Sequence, residues 1–312
     1  MKKYLRYLGP VLVTLIFCLA VYLLYHKLKA YSIADIRAAM AQIPWLRMGL
    51  CVALTFVNYL ILVGYDWLAI RAIHKSLPLG HVALVSFVGQ AVSYNFGALL
   101  GGTTVRLRFY LKWGFTLIEI VRLVLMLAVT FWVGVFGLCG IIFMVAPPAI
   151  PAELMAHMPA MDLRYLGVAL FAVAAAYIVL CFLVRKPVHV FGKEFVFPEP
   201  RIAVAQFIVA GIDIICAAGC MYVLLPSHTG VGFIDFLPSY LLAQVAVVLS
   251  HVPGGVGVFE VVITSLTHAD TGLVFAALLL FRLFYFILPL LLAALMMLLH
   301  EVYLRRTAKP AE

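Results

Sequence analysis

Charge is scarce in this chain. Asp, Glu, Lys and Arg make up 11% of its 312 residues, against roughly 25% in a soluble domain, which excludes a water-soluble globular fold. Acids are scarcer than bases, 13 against 22. The resulting net charge of +9 does not point to nucleic acid. The basic residues stand beside apolar runs, where the positive-inside rule and anionic lipid headgroups account for them. The six cysteines (Cys18, Cys51, Cys139, Cys181, Cys216, Cys220) fall inside apolar runs without a CxxC partner. Neither a disulfide framework nor a zinc site is indicated, and no metal or cofactor is expected. Cys216 and Cys220 share a helix face and read as small packing residues. HExxH, GxSxG and Walker motifs are missing, so the chain is not expected to be an enzyme. No A-x-A cleavage site follows the apolar run that ends near Leu28, so that run is expected to be a retained span.

What is abundant is apolar. Hydrophobic residues make up 66% of the chain and the mean hydropathy is +1.14, as in a polytopic helical membrane protein. Six spans are expected, at 8–28, 45–70, 116–145, 163–184, 202–225 and 272–299. A short interfacial helix is expected at 29–44, and the polar loop 185–201 holds a small hairpin at 193–197. Two further apolar stretches, 79–103 and 233–268, are interrupted by polar residues and glycine. The second break is the sharper: Ser250-His251-Val252-Pro253-Gly254-Gly255-Val256-Gly257-Val258-Phe259-Glu260. Gly costs ~1 kcal/mol and Pro ~3 in a helix interior. Broken backbone inside a bilayer survives only when buried in protein or lining a wet cavity. A break that closes on a carboxylate is therefore expected to mark a substrate or ion site; the alternative is a Gly-rich packing kink.

Basic residues orient the chain. With a cytoplasmic N-terminus and C-terminus, 71–75, 104–112, 185–201 and 305–309 lie inside. The segments 146–160, 226–238 and 268–271, which lack Lys and Arg, lie outside. Arg47 is among the exceptions on the outer side, with Lys27, Lys29, Arg37 and Arg164. This scheme makes both interrupted segments re-entrant, the first from the cytoplasm and the second from outside. Each half then reads span, span, broken hairpin, span. Ser93 and Ser250 lie 157 apart (250 − 93), as do Gly97 and Gly254 (254 − 97). Gln90 and Gln244 lie 154 apart (244 − 90), and Arg122 and Arg282 160 (282 − 122). The expected architecture is one integral membrane domain, 1–312, all-α: six spans and two re-entrant broken hairpins arranged as an inverted repeat, 1–145 and 161–304.

Helical rise places Asp213 and Arg282 near the centre of the hydrocarbon core. A lone charge there is costly, so each is expected to pair with the other or with Glu260. Glu119 and Arg122 are i,i+3 on one helix and can pair locally; Asp66 lies at similar depth, with Arg106 and Arg108 near the first break. Structural ion pairs and a substrate pathway both fit these groups. His251, beside Ser250, fits either a proton relay or a bond to loop backbone. Glu260 fits either a cap on the helix that follows Gly257 or a group facing the pathway. The candidate pathway comprises Asp66, Asn95, Arg106, Glu119, Arg122, Asp213, Ser250, His251, Pro253, Gly254, Gly255, Gly257, Glu260 and Arg282.

Several stretches carry a family resemblance: Tyr65-Asp66-Trp67-Leu68-Ala69, Leu84-Val85-Ser86-Phe87, Gly101-Gly102 with Arg106 and Arg108, the segment His251 to Glu260, and Ala277-Leu278-Leu279 leading to Arg282 and Pro289. In these the chain resembles the flippase-like membrane domain of the lysylphosphatidylglycerol synthetase family, and more closely its small stand-alone relatives, the YbhN-type inner-membrane proteins. The resemblance implies a bacterial inner-membrane protein that translocates a phospholipid or related anionic lipid. The family's acyltransferase domain is not expected here, so lysyl-lipid synthesis is not implied. The alternative is a membrane partner that does not transport and instead binds envelope lipids or supports a lipid-biosynthesis enzyme. Membrane lipids, anionic phospholipid first among them, are the expected partners, and a homo-oligomer is compatible with the sequence.

Overall fold

Apolar runs with few internal charges set the helix lengths, and Pro or Gly stands at the start of several, as Pro44, Pro78 and Pro200 do. The computed structural model describes residues 41, 43–148, 162–184, 188–190, 193–195, 197–225, 231–250, 253–255, 257–267 and 271–307. The expected span 8–28, nearly all of the interfacial helix at 29–44 and His251 lie outside these. The helices are α1 (Trp45–Ala72), α2 (Leu79–Phe96), α3 (Thr103–Lys112), α4 (Leu117–Val145), α5 (Leu163–Leu183), α6 (Pro200–Tyr222), α7 (Phe233–Ser250), α8 (Val258–Thr267), α9 (Thr271–Phe281) and α10 (Leu288–Thr307). A π-helical turn, Ala98–Gly102, separates α2 from α3, and another, Arg282–Ile287, joins α9 to α10.

The fold is that of a polytopic, all-α membrane protein. Among the described residues six helices are long and apolar enough to cross a membrane: α1, α4, α5, α6, α7 and Val274–Val302. Five coincide with expected spans. The sixth, α7, is the first arm of the second broken segment, and its 18 residues reach ~27 Å by helical rise. The polar loop does form a hairpin, but its strands are β1 (Val188–Val190) and β2 (Lys193–Phe195), with His189 opposite Glu194. Residues 193–195 therefore supply only its second strand.

Local chemistry fixes the helix ends. Thr116 and Glu119 form a reciprocal capping box at the start of α4. Arg47, an exception to the basic-residue pattern, donates from Nη1 to the carbonyl of Leu225 at 2.7 Å, just past the end of α6. A cation suits that end of a helix. Small residues let α4 approach its neighbours: a Cβ on Gly134 would sit 2.2 Å from Ala210, and one on Gly140 2.6 Å from Phe171.

The two halves interlock. α1 packs along α6, α2 along α10, and α7 against α4. α2 also reaches the 3₁₀ turn Pro253–Gly255 between α7 and α8. Two buried apolar clusters result, and Tyr94 and Phe131 pack against both. The helix that ends at the first break thus touches the second.

Candidate functional site

Gly97, with φ +89°, ends α2 and turns the chain into the first π-turn. The second arm, α3, then carries Arg106 back toward α2. The guanidinium rests in a slot that only glycine leaves open: a Cβ on Gly89 or Gly102 would lie 3.2 or 3.0 Å from its Nη1. From α1, Asp66 meets it as a two-toothed partner, accepting from Nε at 2.9 Å and from Nη2 at 2.7 Å. The Tyr110 hydroxyl donates to the same carboxylate at 2.9 Å. Asp66 is fully buried and Arg106 nearly so.

The second break uses the same parts in another order. Gly254, Gly255 and Gly257 hold φ of +65°, +60° and +85°, backbone that glycine adopts without steric cost. A Cβ on Gly255 would also strike Val247 at 2.6 Å. The turn exposes two carbonyls, and Arg282, at the start of the π-turn in the last span, fills both. It donates to Gly254 from Nη1 at 3.0 Å and to Gly255 from Nη2 at 3.2 Å. Its Nε donates to Glu260. The other oxygen of Glu260 accepts the Gly257 N–H at 2.8 Å. Glu260 is therefore cap and ion partner together, where the sequence had presented these as alternatives. Each break is held by one arginine and one acid. In the first half the arginine comes from the hairpin and the acid from a span, and in the second half the reverse. The pairs differ in access: side-chain exposure is 5% and 0% for Arg106 and Asp66, against 8% and 12% for Arg282 and Glu260.

Asp213 on α6 does not pair with Arg282, one of its two expected partners, nor with the other, Glu260. Asn58 Nδ2 donates to its Oδ1 at 2.7 Å and to its backbone carbonyl at 2.9 Å, and the Tyr65 hydroxyl donates to its Oδ2 at 2.7 Å. The Tyr285 hydroxyl donates to Asn58 Oδ1 at 2.5 Å and lies 3.4 Å from that of Tyr94. Tyr285 belongs to the π-turn of Arg282. Carbonyls of that turn find side-chain donors, Phe286 from Asn95 at 3.1 Å and Tyr285 from Tyr59 at 3.3 Å. Such insertions into a helix recur at functional sites.

The remaining candidates stand apart. Glu119 pairs with Lys75 at 3.1 Å and with its own cap, not with Arg122. Arg122 is exposed on the outside of α4, so Arg106, not Arg122, is the counterpart of Arg282 in holding a break. Ser250 is exposed and bonds the Val247 carbonyl at 2.9 Å. Pro253 and the three glycines shape the turn. Asn58, Tyr94 and Tyr285 escaped sequence reasoning because an amide and phenols inside apolar runs read as packing. One signal was present: Asn58 and Asp213 are 155 apart, within the spread of the repeat offsets.

No protein-family model matches the chain. The inner membrane protein YbhN of Escherichia coli K12 is 32% identical over 254 residues, 80% of this chain and 79% of its own length. An uncharacterized protein of Synechocystis sp. is 35% identical over 278 residues, 88% of this chain and 86% of its own.

Proposed function

The chain belongs to the family of the inner membrane protein YbhN, and from that premise we propose that it is an inner-membrane lipid transporter. It would move a phospholipid or related anionic lipid between leaflets, with Arg282 and Glu260 contacting the headgroup. The observation that carries this reading is the Arg282 site itself: a buried guanidinium at a helix break, held by two backbone carbonyls and by a carboxylate, Glu260, that is partly exposed. The fork of donors that Arg282 presents to these three acceptors can also bind a phosphate in a two-toothed way. Glu260 keeps its bond to the Gly257 N–H, so it retains a partner when a headgroup takes the guanidinium. Asp66–Arg106, more deeply buried, serves as the fixed counterpart.

The resemblance to the flippase-like domain supports the same reading, as does the interlocking of two similar halves. We take 1–145 and 161–304 as inverted repeats, with both termini cytoplasmic, and the protein as a transporter with no reaction of its own. A lipid-binding partner that does not transport is the second reading. Its support is that Arg282 is fully paired in this structure, as a static site would be.

Proteoliposomes test the choice. Wild-type protein should accelerate loss of a labelled phospholipid from one leaflet, and Glu260→Gln and Arg282→Gln, matched for insertion and thermal stability, should lose that acceleration. Variants that translocate at the wild-type rate would remove these residues from the pathway. A wild-type protein that binds lipid but never exceeds empty liposomes would favour the static partner.

A further inference from the structure

Among the described residues, the buried acids Asp66 and Asp213 are held differently. Asp66 has Arg106. Asp213, 5% exposed, has only neutral donors, the Asn58 amide and the Tyr65 hydroxyl. Among the described residues its neighbours offer no positive charge. α1 presents Tyr59 and Tyr65, α2 Tyr94, α7 Tyr240 and the last π-turn Tyr285; on α6 itself stand Cys216 and Cys220. α4 and α5 contribute Cys139, Tyr177 and Cys181 to the surrounding bundle, and α9 has no titratable residue. These are phenols and thiols throughout. Arg282, the cation of the π-turn that holds Tyr285, is committed to Glu260, Gly254 and Gly255.

A carboxylate inside a membrane bundle without a counter-ion is expensive. Among the described residues none supplies the missing positive charge, so we look for it outside the protein. Its chemistry is set by the cage. A metal ion needs oxygen lone pairs, but Asn58 turns its N–H₂ toward Asp213. The backbone carbonyl of Asp213, which can only accept, fixes that orientation: Nδ2 faces it and Oδ1 of Asp213, leaving Asn58 Oδ1 to accept from Tyr285. A proton fits instead. The Tyr65 hydroxyl can both donate and accept, so it donates to the ionised carboxylate and accepts from the acid. We infer that Asp213 is an exchangeable proton-binding site, linked through Asn58 and Tyr285 to the π-turn that carries Arg282. Its use to drive transport rests on the function proposed above; the binding of the proton does not.

Infrared difference spectra of the full-length protein in lipid nanodiscs, titrated from about pH 5 to about pH 9, read this without any transport assay. Wild-type protein labelled at aspartate should show a protonated-carboxyl band that disappears as pH rises, and Asp213→Asn should lack it. Tyr65→Phe should displace the band's midpoint by about one pH unit, the size of one hydrogen bond to a charged group. It also decides the matter if Asp213→Asn fails to fold. The inference is overturned by a band absent from wild type, by one that does not titrate, by one unmoved in Tyr65→Phe, or by one that sodium abolishes at constant pH.

Discussion

Asp66 accepts both hydrogen bonds of the Arg106 guanidinium fork across 40 residues of chain, at 2.9 and 2.7 Å, and the pair is closed to solvent. Removing one partner strands the other as a buried charge, at a cost of ~3–5 kcal/mol. Asp66→Asn and Arg106→Gln should each lower the thermal midpoint in detergent, and the double variant should recover at least half of the larger loss. Strictly additive losses would mean that the two groups do not act as a pair. Arg106→Lys should also be destabilised, since a lysine cannot reproduce the two-toothed contact.

The slot around that guanidinium has no room for a methyl group. On Gly102 a Cβ would lie 1.8 Å from Ser93 Oγ and 2.9 Å from the Gly89 carbonyl. Gly102→Ala should therefore cost ~1–3 kcal/mol, and Ser93→Ala placed beside it should return part of that. Gly49, inside α1 with nothing within 4 Å of its Cβ position, is the control: Gly49→Ala should lose no stability and should gain up to ~1 kcal/mol from helix propensity. Equal effects at both glycines would contradict the packing described.

The breaks were legible because Pro and Gly write backbone geometry directly into sequence. Gly97 and Gly254, matched by their offset, both hold positive φ. Charge is nearly as legible in a membrane chain, since a buried ion needs a partner, and Glu260–Arg282 was among the pairings expected. The choice of partner was not legible. Asp213 and Arg282 have similar depth by helical rise, but depth says nothing of which way each helix turns its side chain. Asp213 turns to Asn58 and Tyr65 on α1, the helix packed along α6. Arg122, paired by offset with Arg282, shows the same limit: it matches in spacing and faces outward. The π-turn at Arg282 is marked only from outside it: nothing in Arg-Leu-Phe-Tyr-Phe-Ile breaks helical propensity, but Pro289 has no N–H for the carbonyl of Tyr285, four residues back.

Gln206 joins three helices away from the candidate site. From α6 its Nε2 donates to Thr130 Oγ1 on α4 at 2.8 Å, and its Oε1 accepts from the Tyr177 hydroxyl on α5 at 2.8 Å. Interhelical bonds of this kind contribute ~0.6–1.7 kcal/mol in membranes. Gln206→Leu should lower the unfolding midpoint, Tyr177→Phe should lower it less, and the double variant should resemble Gln206→Leu alone. A larger loss in the double variant would show that Tyr177 has a second role.

The orientation proposed above rests on a strong asymmetry at the two ends of α4. Before it stand Arg71, Lys75, Arg108 and Lys112, whereas 146–160 has no Lys or Arg. The 29 residues of α4 rise ~43 Å, more than a ~30 Å hydrocarbon core. Its two ends therefore cannot share a face unless it lies in the membrane plane. The far end is tied to the start of α5, because a Cβ on Gly167 would lie 2.9 Å from the Gly140 carbonyl and 3.1 Å from the Met144 nitrogen. Asp162, exposed at the N-cap of α5, and Lys112, exposed at the end of α3, should thus report opposite faces. With Cys18 and Cys216 replaced by alanine, a membrane-impermeant maleimide applied to intact cells should label Asp162→Cys. It should reach Lys112→Cys only after permeabilisation. Losing the Asp162 cap costs ~1 kcal/mol, too little to disturb insertion. The opposite pattern would invert the protein, and labelling of both positions from one face would mean that α4 does not cross.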